Sequence, residues 1–308
     1  MEQYYKKYLD NRKALIRVIC RTKQWSGLDE CDIYNWLDNF EDNFGKYIAL
    51  KILIHSIYYS EKNVVDLLSH GIYEKIHSTE IKKQLVNDNN ILISRTETNS
   101  QLLDRVESSA FVPLLDKSRP GESANQMARY LIQKLNISPN QTFFIEDLTN
   151  EVILKHRSVI FLDDCIGSGN QLDDFFGKPN VQSAVNFAVE NNIEVYYLII
   201  TGYKKNIQKV QQKDNLKNIR IVACDELNDF DRIFNEQNII WQDKEEFEKA
   251  DQYFKALESN LGINQYGWAN LDFAVFMHNT VPDWSLPIFW VDNSDWTPLM
   301  TRKNSNLF

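Results

Sequence analysis

The residues best suited to chemistry in this 308-residue chain lie in one short run near its middle. A β-rich stretch, 159–162, is followed by Asp163 and Asp164, and the turn 167–169 has the sequence Gly-Ser-Gly before a helical pattern begins. Glycines let the backbone approach an anion closely, and the free amides of a helix N-terminus point at it. Carboxylates accept hydrogen bonds from vicinal hydroxyls. This order predicts a site for a ribose 5-phosphate, with the diol at the aspartates. The predicted phosphate-binding residues are Ile166, Gly167, Ser168, Gly169, Asn170 and Gln171.

Two other kinds of phosphate loop do not fit this order. A dinucleotide-binding loop places its glycines directly after the strand and its acid about 20 residues later, whereas here the acids come first and a third glycine is missing. A Walker loop ends in Gly-Lys-Ser or Gly-Lys-Thr, and this turn has no lysine. A purely structural interpretation stays open, in which Asp163 and Asp164 form a hydrated strand end and Ser168 caps the helix.

The pattern around this run predicts strands that alternate with helices. Short apolar stretches bounded by turn residues are typical of strands, and longer amphipathic stretches are typical of helices. Their alternation predicts an α/β fold with a mostly parallel sheet that is covered on both faces. The predicted strands are 111–115, 143–145, 158–162, 193–200 and 219–223, and the predicted helices between them are 124–135, 173–189 and 203–213.

The composition changes along the chain and suggests three segments. Up to about residue 99, apolar residues recur at helical steps and proline is absent, whereas four of the seven tryptophans lie after residue 266. The sequence therefore predicts a helical region over 1–105, an α/β core over 106–240, and a C-terminal helix with an aromatic cap over 241–308.

The overall charge bears on the class of partner. The chain has 34 basic and 43 acidic residues and a net charge of -9, which repels phosphate backbones unless basic residues cluster. One such cluster is the helical stripe of Lys205, Lys209 and Lys213, which is either a phosphate-contacting surface or a hydrated face. No apolar run reaches the roughly 18 residues of a membrane span, and the first residues lack the apolar stretch of a signal peptide. We expect a cytoplasmic protein that does not bind membranes.

Cysteine and histidine spacing does not suggest a protein-only metal site. The four cysteines include no Cys-x-x-Cys pair, and the five histidines have no zinc-site spacing. We expect the cysteines to be reduced thiols, because a chain of this length gains little from one or two disulfides.

The central motif resembles that of the type I phosphoribosyltransferases, in which a hydrophobic strand, two acids, two variable residues and a small phosphate loop follow one another. Over 161–171 it has the form Phe-Leu-Asp-Asp-Cys-Ile-Gly-Ser-Gly-Asn-Gln. This form is most similar to the phosphoribosyltransferase-like proteins of bacterial conflict and antiphage systems, and the segment 279–290 is similar to the same subgroup. The resemblance extends from about Ala110 to the C-terminus. It implies a type I phosphoribosyltransferase-like sheet flanked by helices and a role in bacterial antiviral defence.

The resemblance also implies a ligand, a metal and a second loop. The ligand is phosphoribosyl diphosphate or a nucleotide, accompanied by Mg²⁺, and the implied catalytic and metal-binding residues are Asp163 and Asp164. A loop after the first strand would hold the pyrophosphate. Without the neighbouring motif, this stretch is an ordinary turn. The implied pyrophosphate-loop residues are Lys117, Arg119, Gly121 and Ser123.

The aromatic tail offers candidates for recognition of a base. Nucleobases present a π-face and polar edges, so stacking and edge hydrogen bonds are both needed. The candidates are His278, Asn279, Trp284 and Trp290. Each tryptophan has an alternative role in packing the core.

Three departures from the family pattern leave the type of function open. Several enzymes of the family carry an acid that serves as general base where this chain has Gly167, and Gln171 replaces a hydroxyl residue of the loop. The connection 146–157 is shorter than the loop that often shields the reaction. The chain is therefore an enzyme of glycosyl transfer to or from a ribose 5-phosphate, a sensor of phosphoribosyl diphosphate or a nucleotide, or an inactive scaffold. A scaffold would bind a partner protein or a small nucleic acid in a defence complex.

Overall fold

The structure is a computed structural model that describes residues 1–89, 93–114, 124–261, 264 and 266–302. The chain forms two compact units. The terminal unit consists of Met1–Asn63 and Asn228–Phe308, and the central unit is Val64–Leu227.

Helices predominate in the first 107 residues, and strands alternate with helices over residues 109–227. No helix of the described residues is both long and apolar enough to cross a membrane. The strands are β1 (Ile57–Tyr59), β2 (Ser109–Pro113), β3 (Ser158–Ile166), β4 (Glu194–Tyr203), β5 (Arg220–Leu227) and β6 (Val275–Met277). The α-helices are α1 (Glu2–Arg21), α2 (Glu30–Leu37), α3 (Asn43–Ile54), α4 (Glu61–His70), α5 (Thr79–Asn87), α6 (Arg95–Glu107), α7 (Ala124–Gln133), α8 (Asn150–Ile153), α9 (Asn170–Phe176), α10 (Pro179–Glu190), α11 (Lys204–Gln211) and α12 (Lys244–Leu261). A π-helix spans Gly71–Ser78, and short 3₁₀ helices span Pro139–Gln141, Ile145–Asp147, Asp214–Leu216, Asp229–Asp231, Trp268–Asn270 and Pro287–Phe289.

The central unit is built on a four-stranded parallel sheet in the order β2-β3-β4-β5. Strand β3 is an interior strand, with Ser109 of β2 opposite Ser158 on one side and Ile199 of β4 opposite Asp163 on the other. Helices follow each of the first three strands before the next one begins. The prediction of an α/β fold with a parallel sheet flanked by helices is confirmed.

Burial of both faces explains why the strand sequences are almost continuously apolar. On one face, Phe161 and Tyr197 belong to a hydrophobic cluster that includes residues of α9 and α10. The other face is covered by the π-helix, where a Cβ atom added to Gly71 would lie 2.6 Å from Cys224 Sγ and 2.7 Å from a Leu198 methyl group.

Two predicted elements differ from the structure. The stretch 143–145 does not form a strand, because only an isolated parallel bridge joins Thr142 to Phe111 before the chain turns into a 3₁₀ helix. The single predicted helix 173–189 is divided into α9 and α10. Proline lacks the amide that a continuing helix needs and is suited to a first turn, so Pro179 begins α10.

The terminal unit joins the two ends of the chain in one hydrophobic core. Strands β1 and β6 pair in parallel, with Ile57 opposite Val275. The indole Nε1 atoms of Trp36 and Trp296 donate to the same carbonyl oxygen of Ile288, at 2.6 and 3.0 Å. The segments 1–105, 106–240 and 241–308 proposed from composition have other boundaries than these compact units.

Candidate functional site

The predicted site lies at the carboxyl end of β3. Ligands of parallel sheets bind outside the carboxyl ends of the strands, where successive loops begin. Strand β3 continues through both aspartates to Ile166 rather than ending at Leu162, and the turn 167–169 then leads directly into α9. The predicted order of strand, turn and helix is therefore present on an interior strand.

Asp163 is buried and held from two directions. Its side chain is 7% exposed, its Oδ1 atom accepts a hydrogen bond of 2.9 Å from the amide of Asp164, and its Oδ2 atom accepts one of 3.0 Å from the hydroxyl of Tyr197. Burial, followed by the negative charge of Asp164, raises the pKa of the Asp163 carboxyl well above its ordinary value. Burial and the charge of Asp163 likewise raise the pKa of Tyr197. These bonds fix the orientation of the Asp163 carboxyl.

Asp164 is partly exposed and lies beside Asp163. The negative charge of Asp164 acts on the neighbouring Asp163 carboxyl and is the second cause of its raised pKa, after burial. No group of three or more His, Cys, Asp and Glu side chains that could hold a metal ion occurs among the described residues. Mg²⁺ needs fewer protein ligands, because it keeps several waters and binds through one or two carboxylates plus substrate phosphates. The two carboxylates of Asp163 and Asp164 are therefore enough protein ligands for a magnesium ion.

The turn after β3 contains three adjacent amides with unused hydrogen-bonding capacity. Within the described part of the chain, the backbone N–H groups of Gly167, Ser168 and Gly169 donate to no acceptor. The amide of Asn170 reaches Ser168 Oγ at 3.4 Å, while Gly169 is the N-cap residue of α9. Consecutive amides at such a turn form a concave donor surface for an anion.

Helix α11 contacts the turn at two points. The Asn206 Nδ2 atom donates a 2.9 Å hydrogen bond to the carbonyl oxygen of Gly167. Gly169 has φ +86°, and a Cβ atom added there would lie 2.5 Å from a methyl carbon of Val210. A side chain at position 169 is therefore disfavoured by both the left-handed backbone and the packing of α11.

We expect Gly169→Ala to lower the free energy of unfolding of the central unit by about 1–2 kcal/mol from the left-handed backbone alone, with a further loss from the contact with Val210. Chemical denaturation followed by far-ultraviolet circular dichroism would measure the loss. In the double variant Gly169→Ala/Val210→Ala, the loss of unfolding free energy that comes from the contact with Val210 should be relieved. The loss that comes from the left-handed backbone should stay. An unchanged free energy of unfolding in Gly169→Ala would contradict the described backbone of the turn.

The remaining predicted site residues lie outside the described residues or in the terminal unit. The pyrophosphate-loop residues Lys117, Arg119, Gly121 and Ser123 lie outside the described residues. The base-binding candidates His278, Asn279, Trp284 and Trp290 belong to the terminal unit. There Trp284 is buried edge-on against Phe273, and Trp290 donates to the Ser285 carbonyl oxygen and lies under the Arg302 guanidinium.

The basic stripe begins on α11 with Lys205 and Lys209 and continues past the end of that helix to Lys213. Its positive charge is partly neutralised. Lys213 forms an ion pair with Asp173 of α9, and the neighbouring Lys204 lies 3.3 Å from Glu226. Lys209 is exposed. Helix α11, which carries Lys204 and Lys209, also contacts the turn 167–169 through Asn206 and Val210.

Sequence reasoning missed Tyr197 and Asn206. Tyr197 lies two residues before Ile199, the register partner of Asp163, so the side chains of Tyr197 and Asp163 share one face of the sheet as diagonal neighbours. The register of β3 against β4 would have identified Tyr197. Asn206 falls inside the predicted helix 203–213, and no sequence signal distinguishes it from a hydrated asparagine.

Comparisons with known proteins identify the family. The sequence model of the PRTase-CE family matches residues 33–302. A search of the curated proteins finds no match, and a search of the solved structures finds none either. The match covers most of the chain, including the motif at the end of β3. The chain therefore belongs to the PRTase-CE family and is a phosphoribosyltransferase-like protein.

Proposed function

We propose that the chain binds phosphoribosyl diphosphate, or a nucleotide with the same ribose 5-phosphate, at the carboxyl end of β3. One observation carries the proposal: the three adjacent amides of residues 167–169 have no acceptor in the described structure, and only Cys165 and Ile166 separate them from the two carboxylates of β3. A phosphate supplies the acceptors that these amides lack, and a ribose diol supplies donors for a carboxylate.

Each group of the site has a separate role in this proposal. The amides of Gly167, Ser168 and Gly169 bind the 5-phosphate, and the Ser168 hydroxyl donates a further hydrogen bond. Asp164, which is partly exposed, accepts hydrogen bonds from the ribose hydroxyls. Asp163 and Asp164 are also the residues that would hold Mg²⁺. When bound, this ion neutralises the charge of the diphosphate.

The same site supports binding more directly than base-assisted transfer. Gly167 has no side chain to act as general base, whereas the donors for phosphate come from the backbone and need no particular side chain. Sensing of phosphoribosyl diphosphate or a nucleotide is therefore our first proposal, and glycosyl transfer is the second. The proposed place of this function is bacterial antiviral defence, supported by the resemblance of segments 161–171 and 279–290 to proteins of conflict systems.

The wild-type chain should bind phosphoribosyl diphosphate in the presence of Mg²⁺ with a saturable heat in titration calorimetry. Nuclear magnetic resonance with a ¹⁵N-labelled sample should show that the ligand shifts the amide signals of residues 167–169, because these N–H groups acquire phosphate acceptors. Ribose without a phosphate serves as the matched control and should leave those three signals in place. A folded sample with no heat and no amide shifts would contradict the proposal.

Turnover separates the sensor from the enzyme. A sensor should be stabilised by phosphoribosyl diphosphate without releasing pyrophosphate, since ligand binding to the folded state raises the melting temperature. An enzyme should release pyrophosphate when a base or another acceptor is supplied. A partner-dependent scaffold predicts neither effect, and purification from cells would show its partner.

A further inference from the structure

We propose that Asn206 is a positioning residue of the phosphate turn, whose side chain directs the Ser168 amide toward the ligand phosphate. This inference rests on the proposed function of residues 167–169. The carboxamide of Asn206 donates to the carbonyl oxygen of Gly167 at 2.9 Å, across 39 residues of sequence. That bond connects α11 to the one peptide unit that lies between Gly167 and Ser168.

Peptide geometry links this bond to the direction of an amide. A trans peptide is planar, and its C=O and N–H groups point in opposite directions. Because the Gly167 carbonyl points at Asn206, the N–H of Ser168 points away from α11. That N–H donates to no acceptor among the described residues, so it is available for an anion. Rotation of the peptide would turn this donor away from the phosphate.

The helix that carries Asn206 is itself firmly placed. Its Ile207 and Val210 side chains are buried in the core of the central unit. Asn206 and Val210 lie one helical turn apart and therefore on the same face of α11, where Val210 contacts Gly169. One face of a rigid helix thus contacts both glycines of the turn and limits the conformations that the turn can adopt before a ligand binds.

A preorganised turn should bind phosphate more tightly than a mobile one, because less conformational entropy is lost on binding. Asn206 acts through the turn and is not expected to touch the ligand. A residue that only stabilised the fold would change the melting temperature and leave the orientation of the Ser168 amide unchanged. The direction of that amide is therefore the property that distinguishes positioning from simple stabilisation.

The test uses the full chain and three substitutions on α11. Asn206→Leu has nearly the same shape and no donor, and Asn206→Asp is isosteric but presents an acceptor to the Gly167 carbonyl. Gln208→Leu is the matched control, since Gln208 is an exposed carboxamide on the same helix. The probes are phosphoribosyl diphosphate with Mg²⁺ in calorimetry and inorganic phosphate in an amide titration of ¹⁵N-labelled protein.

Loss of one such hydrogen bond should weaken phosphoribosyl diphosphate binding by about five- to ten-fold in Asn206→Leu and Asn206→Asp. In both variants the Ser168 amide signal should move in the free protein and respond less to phosphate, while Gln208→Leu behaves as the wild type. If Asn206→Leu does not fold, Asn206→Asp provides the same comparison. Wild-type affinity and a wild-type Ser168 signal in a folded Asn206 variant would contradict this inference and leave the proposed function intact. If the wild-type chain binds neither probe, both the proposed function and this inference are wrong.

Discussion

Asp164→Asn should weaken the binding of phosphoribosyl diphosphate with Mg²⁺ by about ten- to a hundred-fold while the fold is retained. Hydrogen bonds to a charged group contribute about 1.5–3 kcal/mol each, and about 1.4 kcal/mol corresponds to a factor of ten in affinity. Asp164 is partly exposed at the end of an interior strand, where its carboxylate can meet a ribose diol or a metal ion. Titration calorimetry of the wild type and the variant would measure the change.

Two further substitutions make this comparison specific. Asp174→Asn removes the same charge from an exposed position on α9 and should leave the affinity unchanged. Asp163→Asn should have a smaller effect than Asp164→Asn, because the buried Asp163 already uses both oxygens in hydrogen bonds, and an asparagine can accept from the Asp164 amide and donate to the Tyr197 oxygen. Equal affinities of Asp164→Asn and the wild type would show that the Asp164 carboxylate does not contribute to ligand binding.

Much of the central unit could be predicted because its signals are local. Three predicted strands, 158–162, 193–200 and 219–223, correspond to β3, β4 and β5, and the glycine turn does lead into a helix. Continuous apolar runs between turn residues are sufficient to identify buried parallel strands. The end of β3 was placed too early, because the two aspartates look like a hydrated strand end when the pairing with β4 is unknown.

The supporting residues of the site could not be predicted because they depend on pairing at a distance. Tyr197 looks like an ordinary core residue until the register shows that its hydroxyl meets Asp163. Asn206 acquires its significance only when α11 packs against the turn. The motif residues were identified from neighbours in sequence, whereas the residues that orient them come from the next strand and the next helix.

The extent of the terminal unit also depends on contacts between residues that are far apart in sequence. Composition suggested a helical region at the start of the chain and a separate aromatic cap at its end. Pairing of β1 with β6 and the shared carbonyl of Ile288 instead place both ends in one core. Contacts between residues more than 200 positions apart leave no periodic signal in either segment, so composition alone could not join them.

Asp272→Asn should raise the free energy of unfolding of the terminal unit by about 2–4 kcal/mol at pH 7, because it removes the cost of protonating a carboxyl group that is buried on folding. Asp272 is 1% exposed, and its Oδ1 atom has no partner among the described residues, while its Oδ2 atom accepts a 2.9 Å bond from the Phe234 amide. Burial raises the pKa of Asp272 to about 8 from 3.8, and Arg232 opposes the shift only in part. The residue also has φ +62°, a left-handed backbone that asparagine tolerates well.

The raised pKa of Asp272 also predicts how the free energy of unfolding changes with pH. Between about pH 4 and pH 8 the folded state keeps a proton on Asp272 that the unfolded state has lost, so the wild type should lose stability as the pH rises through this range. Below about pH 4 both states are protonated, and the gain from Asp272→Asn should disappear.

All seven tryptophans lie in the terminal unit, so denaturant titrations followed by tryptophan fluorescence report on this unit alone. Asp292→Asn, at an exposed position of the same unit, should keep the wild-type slope. A wild-type slope in Asp272→Asn would show that Asp272 is ionised in the folded chain.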